Sequence, residues 1–205
     1  MRELTTANVA FGFHRVRPED AETLATQLRT ASGMTSVATP YDLPGAIDAT
    51  PDALALERAT QLAPSSVRVL GETVVGNDGR SRTRVWVADP SDEIDRAEIV
   101  GATVETGAHG QLVIVVHLSD EGARAFGEVT AREFRKPLLI VLDDVVLSAP
   151  LVVERYVTHS VSIVLGPRPV GESQEAAVYA LAAKIRFGAL PSTPTITKLA
   201  ARCAP

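Results

Sequence analysis

The run Leu138–Leu142, LLIVL, followed at once by Asp143-Asp144 and then by VVLSAP, constrains the architecture more than any other part of this 205-residue chain. Five consecutive apolar residues leave the strand no polar face, so it must be covered on both sides. The two aspartates supply a tight turn, because Asp bonds its own backbone and tolerates a left-handed conformation. Pro150 ends the second strand, since proline has no N–H to give to a central ladder. The segment predicts a hairpin with other elements packed above and below it.

Taken in order, the chain begins with a predicted strand over 8–16, NVAFGFHRV. A helix follows from Pro18 to Ala31: proline suits the first helical position, Glu19 and Asp20 suit the positive end of the dipole, and Gly33 fits the stop. Ala21, Leu24, Ala25 and Leu28 share one face of it. A short strand is expected near 36–39. The stretch 40–51, rich in Pro, Gly and Asp, is expected to be a linker, and Thr50 caps a helix over 51–62. Strands are expected at 67–75 and 82–87, joined by the hairpin signal Asn77-Asp78-Gly79, and again at 98–105 and 112–118. Ser119 caps a helix reaching Phe134, with Ala123, Phe126, Gly127, Thr130 and Phe134 as its inner stripe. After the central hairpin come predicted strands at 151–157 and 160–165, a loop at 166–171, and a helix over 172–187 that presents Ala177, Leu181 and Ile185. The sum is an α+β fold, a mixed and mainly antiparallel sheet packed with helices.

Four marks of this pattern stand together: Glu121-Gly122-Ala123 with Phe126 and Thr130; Ile140-Val141-Leu142-Asp143 with Ser148-Ala149-Pro150; Ile163, Gly166 and Glu175-Ala176; and Gly188-Ala189-Leu190-Pro191. In this order and spacing they resemble the head subdomain of the first extracytoplasmic domain of SecD, a subunit of the bacterial SecDF protein-export complex. The resemblance covers 99–196. Leu43-Pro44-Gly45 is similar to a tripeptide in the base of the same domain. Asp144 departs from the family's usual Asp-Gly, which marks a turn variant. The resemblance implies a base-like region over 1–90, a head over 91–196 and a tail over 197–205. It also implies a place in protein export, by contact with an emerging polypeptide.

Other chemistry finds little support in the residues. A net charge of −5 argues against a general nucleic-acid binder. Arg80, Arg82 and Arg84 alternate on a strand and are expected to be solvated. Asp143 and Asp144 are adjacent turn residues that point apart, unsuited to sharing a cation. His14, His109, His117 and His159 lack metal-ligand spacing. Ser148 lies in LSAP and not in a nucleophile elbow. No nucleotide motif is present, and no cofactor is expected. Trp86 is expected to be half-buried in a strand. The single cysteine, Cys203, cannot form an internal disulfide.

No stretch nears the roughly 20 apolar residues that span a bilayer, so the proton-coupling membrane machinery of SecD has no counterpart in the residues given. If Met1 is the native start, residence inside the cell is expected; if a leader or anchor was removed, residence outside the cytoplasmic membrane. The leading expectation is a non-catalytic module that binds a polypeptide or a protein partner by strand addition or an apolar groove. Its edge would follow Pro150, at Val152, Val153 and Tyr156. The alternatives are an assembly subunit of a larger complex and, last, an enzyme whose site carries no motif.

Overall fold

The computed structural model describes residues 11–32, 37–38, 40, 43–49, 55–75, 79–91, 93–94, 96–166 and 173–187. The central hairpin is there: β8 (Leu138–Leu142) turns through Asp143-Asp144 into β9 (Val145–Ser148). Both aspartates have positive φ, 50° and 65°, the pattern of the mirror-image turn that suits the twist of a two-residue hairpin. All five residues of β8 are buried.

Around this hairpin the chain builds a seven-stranded sheet. It contains β1 (Phe11–Arg15), β2 (Val37–Ala38), β3 (Ala46–Ala49), β4 (Arg68–Val75) and β5 (Ser81–Ala88), in the order β1-β8-β9-β4-β5-β3-β2. Every pairing is antiparallel except β4 with β9, which meet in parallel at Gly71 and Val145. Strands on either side of residue 90 thus share one sheet. A bridge between Val16 and Ala88 joins the end of β1 to the end of β5. It closes β1, β8, β9, β4 and β5 into a ring, which takes up the outer edge of β1 and leaves β2 as the end of the sheet. The ring is filled by Val16, Leu70, Trp86, Ala88, Leu139, Val141 and Val146. Gly45 has φ +91°, and a side chain there would begin 2.6 Å from the Cβ of Val16, so the Leu43-Pro44-Gly45 turn requires glycine where it presses on the closing bridge.

Two helices, α1 (Pro18–Ser32) and α2 (Ala55–Leu62), cover the outside of the ring, where Leu24, Leu28 and Ala59 meet Ile47, Val85 and Val87. A second sheet, in the order β10-β7-β6, is formed by β6 (Ile99–Thr106), β7 (Leu112–Leu118) and β10 (Ser160–Ile163). With α3 (Asp120–Arg132) and α4 (Gln174–Phe187) it encloses the largest core. Phe11, Phe13, Leu138, Ile140 and Leu142 enter that core from the ring, against Ile114, Val116, Phe126, Val129, Val178 and Ile185.

Five expectations are corrected. The stretch 40–51 is not only linker, because Ala46–Ala49 pairs with β5 as a sheet strand. Leu151–Val157 alternates like a strand but keeps a single bridge, Pro137 to Leu151. Its backbone is bonded elsewhere: the Val152 N–H donates to Lys136 O, and the Tyr156 N–H to the Thr130 hydroxyl. Phe134 lies beyond the last turn of α3 and is exposed. Helix α4 buries Ile185 as expected and packs Leu181 against the same core, but Val178 and Ala182 take the buried places in preference to Ala177. Trp86 is fully buried, its indole N–H donating to Glu72 Oε2 at 2.8 Å. The 166–171 loop beyond Gly166, the Asn77-Asp78 half of the β4–β5 turn, the GALP residues 188–191 and the tail lie outside the described residues.

Leu139 and Ile140 point to opposite sides of one strand into different cores. Leu139→Ala and Ile140→Ala should therefore each cost about 2–5 kcal/mol. Both should act on one cooperative transition, in which Trp86 fluorescence and far-ultraviolet circular dichroism coincide during denaturant titration. A mutant that separates the two probes would show that the cores fold independently.

Candidate functional site

The segment after Pro150 lies along α3, and the residue types of α3 explain how. Ser119 caps the helix by accepting from the Gly122 N–H at 3.1 Å. Gly122 faces backbone: a Cβ there would stand 2.9 Å from Glu98 O. Gly127 meets the segment itself, with its absent side chain 2.7 Å from a Val157 methyl. Thr130 is buried, donates to Phe126 O at 2.7 Å and accepts from the Tyr156 N–H at 2.9 Å. The spacing Gly122, Phe126, Thr130 thus serves three contacts: one to the 96–98 turn, one to the core and one to the segment that follows the hairpin.

At its near end the segment is tied to the chain after α3. The Leu138 N–H donates to Pro150 O at 3.0 Å, the Val152 N–H to Lys136 O at 3.0 Å and the Arg135 N–H to Val152 O at 2.8 Å. Arg135 adopts φ 62°, a conformation costly for a residue with a side chain and held here by that bond. Between this segment and β10 runs a groove of about 300 Å³. Phe126, Leu138, Val152 and Val161 line it, with Tyr156 and the hydroxyl residues Thr158, Ser160 and Ser162.

The predicted residues divide by role. Val152 is buried and its backbone groups are bonded, so it belongs to the groove lining. Val153 and Tyr156 are exposed, with Leu151, Val157 and Phe134; their exposures run from 37% to 60%. That is an unusual density of large apolar side chains in water for so short a stretch. The Tyr156 hydroxyl titrates above the ordinary tyrosine value, through partial desolvation and then the charge and hydrogen bond of Glu154. It remains a donor. The groove residues Thr158, Ser160 and Val161 were not singled out from the sequence; a run of small polar residues between two apolar ones carries no distinctive signal.

An ionic cluster fixes the C-terminal end of α3 against the ring. Arg15 on β1 bonds Asp89 at 3.0 Å, contacts Glu93 and lies 3.7 Å from Glu133. Glu133 is almost fully buried and is met also by Arg132 at 3.3 Å and Lys136 at 3.4 Å. Burial alone would lower the Arg15 pKa, but the Glu93 hydrogen bond and the surrounding carboxylates raise it above the ordinary arginine value. Asp89 is shifted below the usual carboxylate value, first by the Ser91 hydroxyl and, despite burial, by the Ser91 N–H and by Arg15 and Arg17.

The remaining candidates are engaged separately. His14 is buried; Arg68 donates to its Nε2 at 3.1 Å, which leaves Nδ1–H to donate toward Asp89 O and Ser91 O at 3.2 and 3.1 Å. His159 bonds Asp120 at 2.9 Å, and His117 lies between Thr103 at 3.0 Å and Ser160 at 3.4 Å. Asp144 meets Arg68, whereas Asp143 faces Lys184 at 3.9 Å. Arg84 is not on a solvated face: it bonds Asp48 at 2.6 Å and lies 3.5 Å from Glu72.

With this geometry in view, the sequence comparisons with known proteins agree on one family. The family model described as SecDF, P1 head subdomain, matches residues 72–192. The chain belongs to that family. It is 33% identical over 90 residues to the protein translocase subunit SecD of Dictyoglomus turgidum, covering 44% of this chain and 21% of that protein. It is 28% identical over 162 residues to SecD of Acidaminococcus fermentans, covering 67% of this chain and 37% of that one. The chain thus spans between about a fifth and two-fifths of the length of these relatives. A solved structure titled "Structure and function of a membrane component SecDF that enhances protein export" aligns over 89% of this chain and 95% of that one, with TM-score 0.43 and 17% identity. No helix among the described residues is long and apolar enough to cross a membrane.

Two predictions follow from the geometry around α3. Thr130→Val keeps the volume but leaves the Tyr156 N–H without its acceptor, and should cost about 1–3 kcal/mol in denaturant titration. Asp89 titrates lower in the folded chain than its ordinary value of 3.8, so its contribution is complete above that value and lost as pH falls through the depressed one. Asp89→Asn should therefore flatten the loss of stability below about pH 4, measured as the denaturation midpoint against pH.

Proposed function

We propose that this chain is a non-catalytic polypeptide-binding module that acts in protein export, holding an extended chain across the surface formed by Leu151, Val153, Tyr156 and Val157 and in the groove beside it. The observation that carries this reading is the pairing of an apolar groove with exposed large apolar side chains on a segment held rigidly by its backbone bonds. A fixed frame lowers the ordering cost of binding. Apolar burial with few directional contacts suits clients of varied sequence, and the hydroxyls of Ser160 and Ser162 on the groove wall offer main-chain partners. Relatives named protein translocase subunit SecD support the link to export.

The segment does not offer a continuous strand edge. Val152 has its N–H and C=O in use, and so has Tyr156 its N–H. Recognition there rests on side chains more than on a ladder. The hypothesis that Val152, Val153 and Tyr156 form the site becomes a division of labour, with Val153 and Tyr156 in contact and Val152 beneath them.

The test is fluorescence anisotropy with a labelled, permanently unfolded polypeptide, and a folded protein as control. Saturable binding to the unfolded chain alone is expected. Val153→Arg places a charge on the exposed surface and should weaken binding at least tenfold, about 1.4 kcal/mol, with the denaturation midpoint unchanged. Equal affinity in wild type and variant would remove this surface from consideration, and no binding by wild type would remove the function.

A further inference from the structure

We propose that the outer edge of β6 is an interface for a second copy of this chain, so that two three-stranded sheets join across a twofold axis at Thr103 into one continuous sheet. Among the described residues β6 pairs with β7 alone. Its facing is set by the ladder on the other side of β7. Leu118 N donates to His159 O, so 118, 116 and 114 face β10, and 117, 115 and 113 face β6. Gly101, Thr103 and Glu105 are thereby bonded inward, and the N–H and C=O groups of Ala102 and Val104 face outward.

Edge strands in solution are normally blunted by lysine, proline, short length or a local cap. The opposite edge of the same sheet shows this: β10 has four residues, and the outward N–H and C=O of Ser160 are both taken by the Thr158 hydroxyl, at 3.1 and 3.0 Å. The strand β6 has eight residues, IVGATVET, with no Lys, Arg or Pro and one charge, Glu105. Its one irregularity is the bulge at Val100, outside the stretch that would pair.

The charge pattern selects a second copy. Antiparallel self-pairing about Thr103 sets Ala102 against the partner's Val104 in both directions, using all four outward groups. It sets Glu105 against the partner's Gly101, so no like charges oppose one another. An isologous contact needs this self-complementarity. A second feature agrees. Helix α4 packs on β6 and β7, and its sequence is apolar on the uncovered side as well as the covered one. Leu181 and Lys184 face the hairpin around Leu142 and Asp143. The opposite flank carries the exposed Tyr179, and the twofold would bring the two α4 helices to the same side of the joined sheet.

The test uses Cys203→Ser as background, so that any thiol is the one introduced. Residues that oppose each other without a hydrogen bond in an antiparallel pair have Cα atoms about 4.5 Å apart, within disulfide reach of roughly 4.4–6.8 Å. Thr103→Cys should form an intermolecular disulfide under mild oxidation. Glu105→Cys, which the register separates from its mate by more than about 13 Å, should not. Sedimentation velocity of the unmodified chain should show a concentration-dependent dimer. The proposal is overturned if that chain stays monomeric at its highest soluble concentration, or if the two cysteine variants cross-link equally. It is also overturned if Thr103→Lys abolishes unfolded-polypeptide binding by a chain that never dimerises, since β6 would then take a client strand. Loss of polypeptide binding at Val153 does not bear on this interface, so the two readings fail separately.

Discussion

The strand β8 is the element on which the rest of the structure depends, because its two faces belong to different cores. Leu139 and Val141 fill the closed ring, and Leu138, Ile140 and Leu142 enter the core shared with α3, α4 and the second sheet. Burying such a side chain is worth roughly 1.5–3 kcal/mol, and β8 makes that contribution to both cores through one backbone. Neither can move relative to the other without uncovering one side of the strand. Phe11 and Phe13 on β1 extend the shared wall, their rings edge-on to each other, with Phe126 edge-on to Phe13. The ionic cluster at Arg15, Asp89, Glu93 and Glu133 then orients α3 on that wall. Glu133, buried in that cluster, would be costly if left unpaired, and Arg15, Arg132 and Lys136 all meet it.

This arrangement explains why local pattern revealed so much of the fold. Where side chains alternate or recur within one element, the sequence holds the signal: α1 begins at Pro18, the hairpin turns at Asp143-Asp144, and Ser119 caps α3. The run LLIVL announced a doubly covered strand. It could not announce its partners, because the pairing of β1 with β8 and the Val16–Ala88 bridge join residues far apart in the chain. Closure of the ring has no local signature beyond Gly45, whose positive φ and contact with Val16 make sense only once the bridge is known.

The candidate surface was legible in composition and misread in conformation. LVVERYV alternates well enough to be a strand, and its apolar residues are indeed divided between core and solvent. What decides its backbone is supplied from elsewhere. Lys136 O and the Arg135 N–H engage Val152, and the Thr130 hydroxyl engages Tyr156, before a neighbouring strand could. The motif spacing in α3 held part of this information. Thr130 is a polar residue on a buried stripe, and such a residue needs a partner. In α3 the hydroxyl donates to Phe126 O within the helix and accepts from the Tyr156 N–H of the segment after the hairpin.

The same reasoning separates the two exposed regions of the second sheet. On the β10 side the outward groups of Ser160 are satisfied within the chain, and the apolar side chains lie across a groove from it. That side suits a ligand recognised by side-chain burial. On the β6 side the apolar residues Ala102 and Val104 point into the protein, while their backbone groups point out. That side suits a partner recognised by its main chain and by register. On the two proposals together, a client held across the groove and a second copy held at the β6 edge would lie on opposite sides of the central strand β7 and would not compete for it.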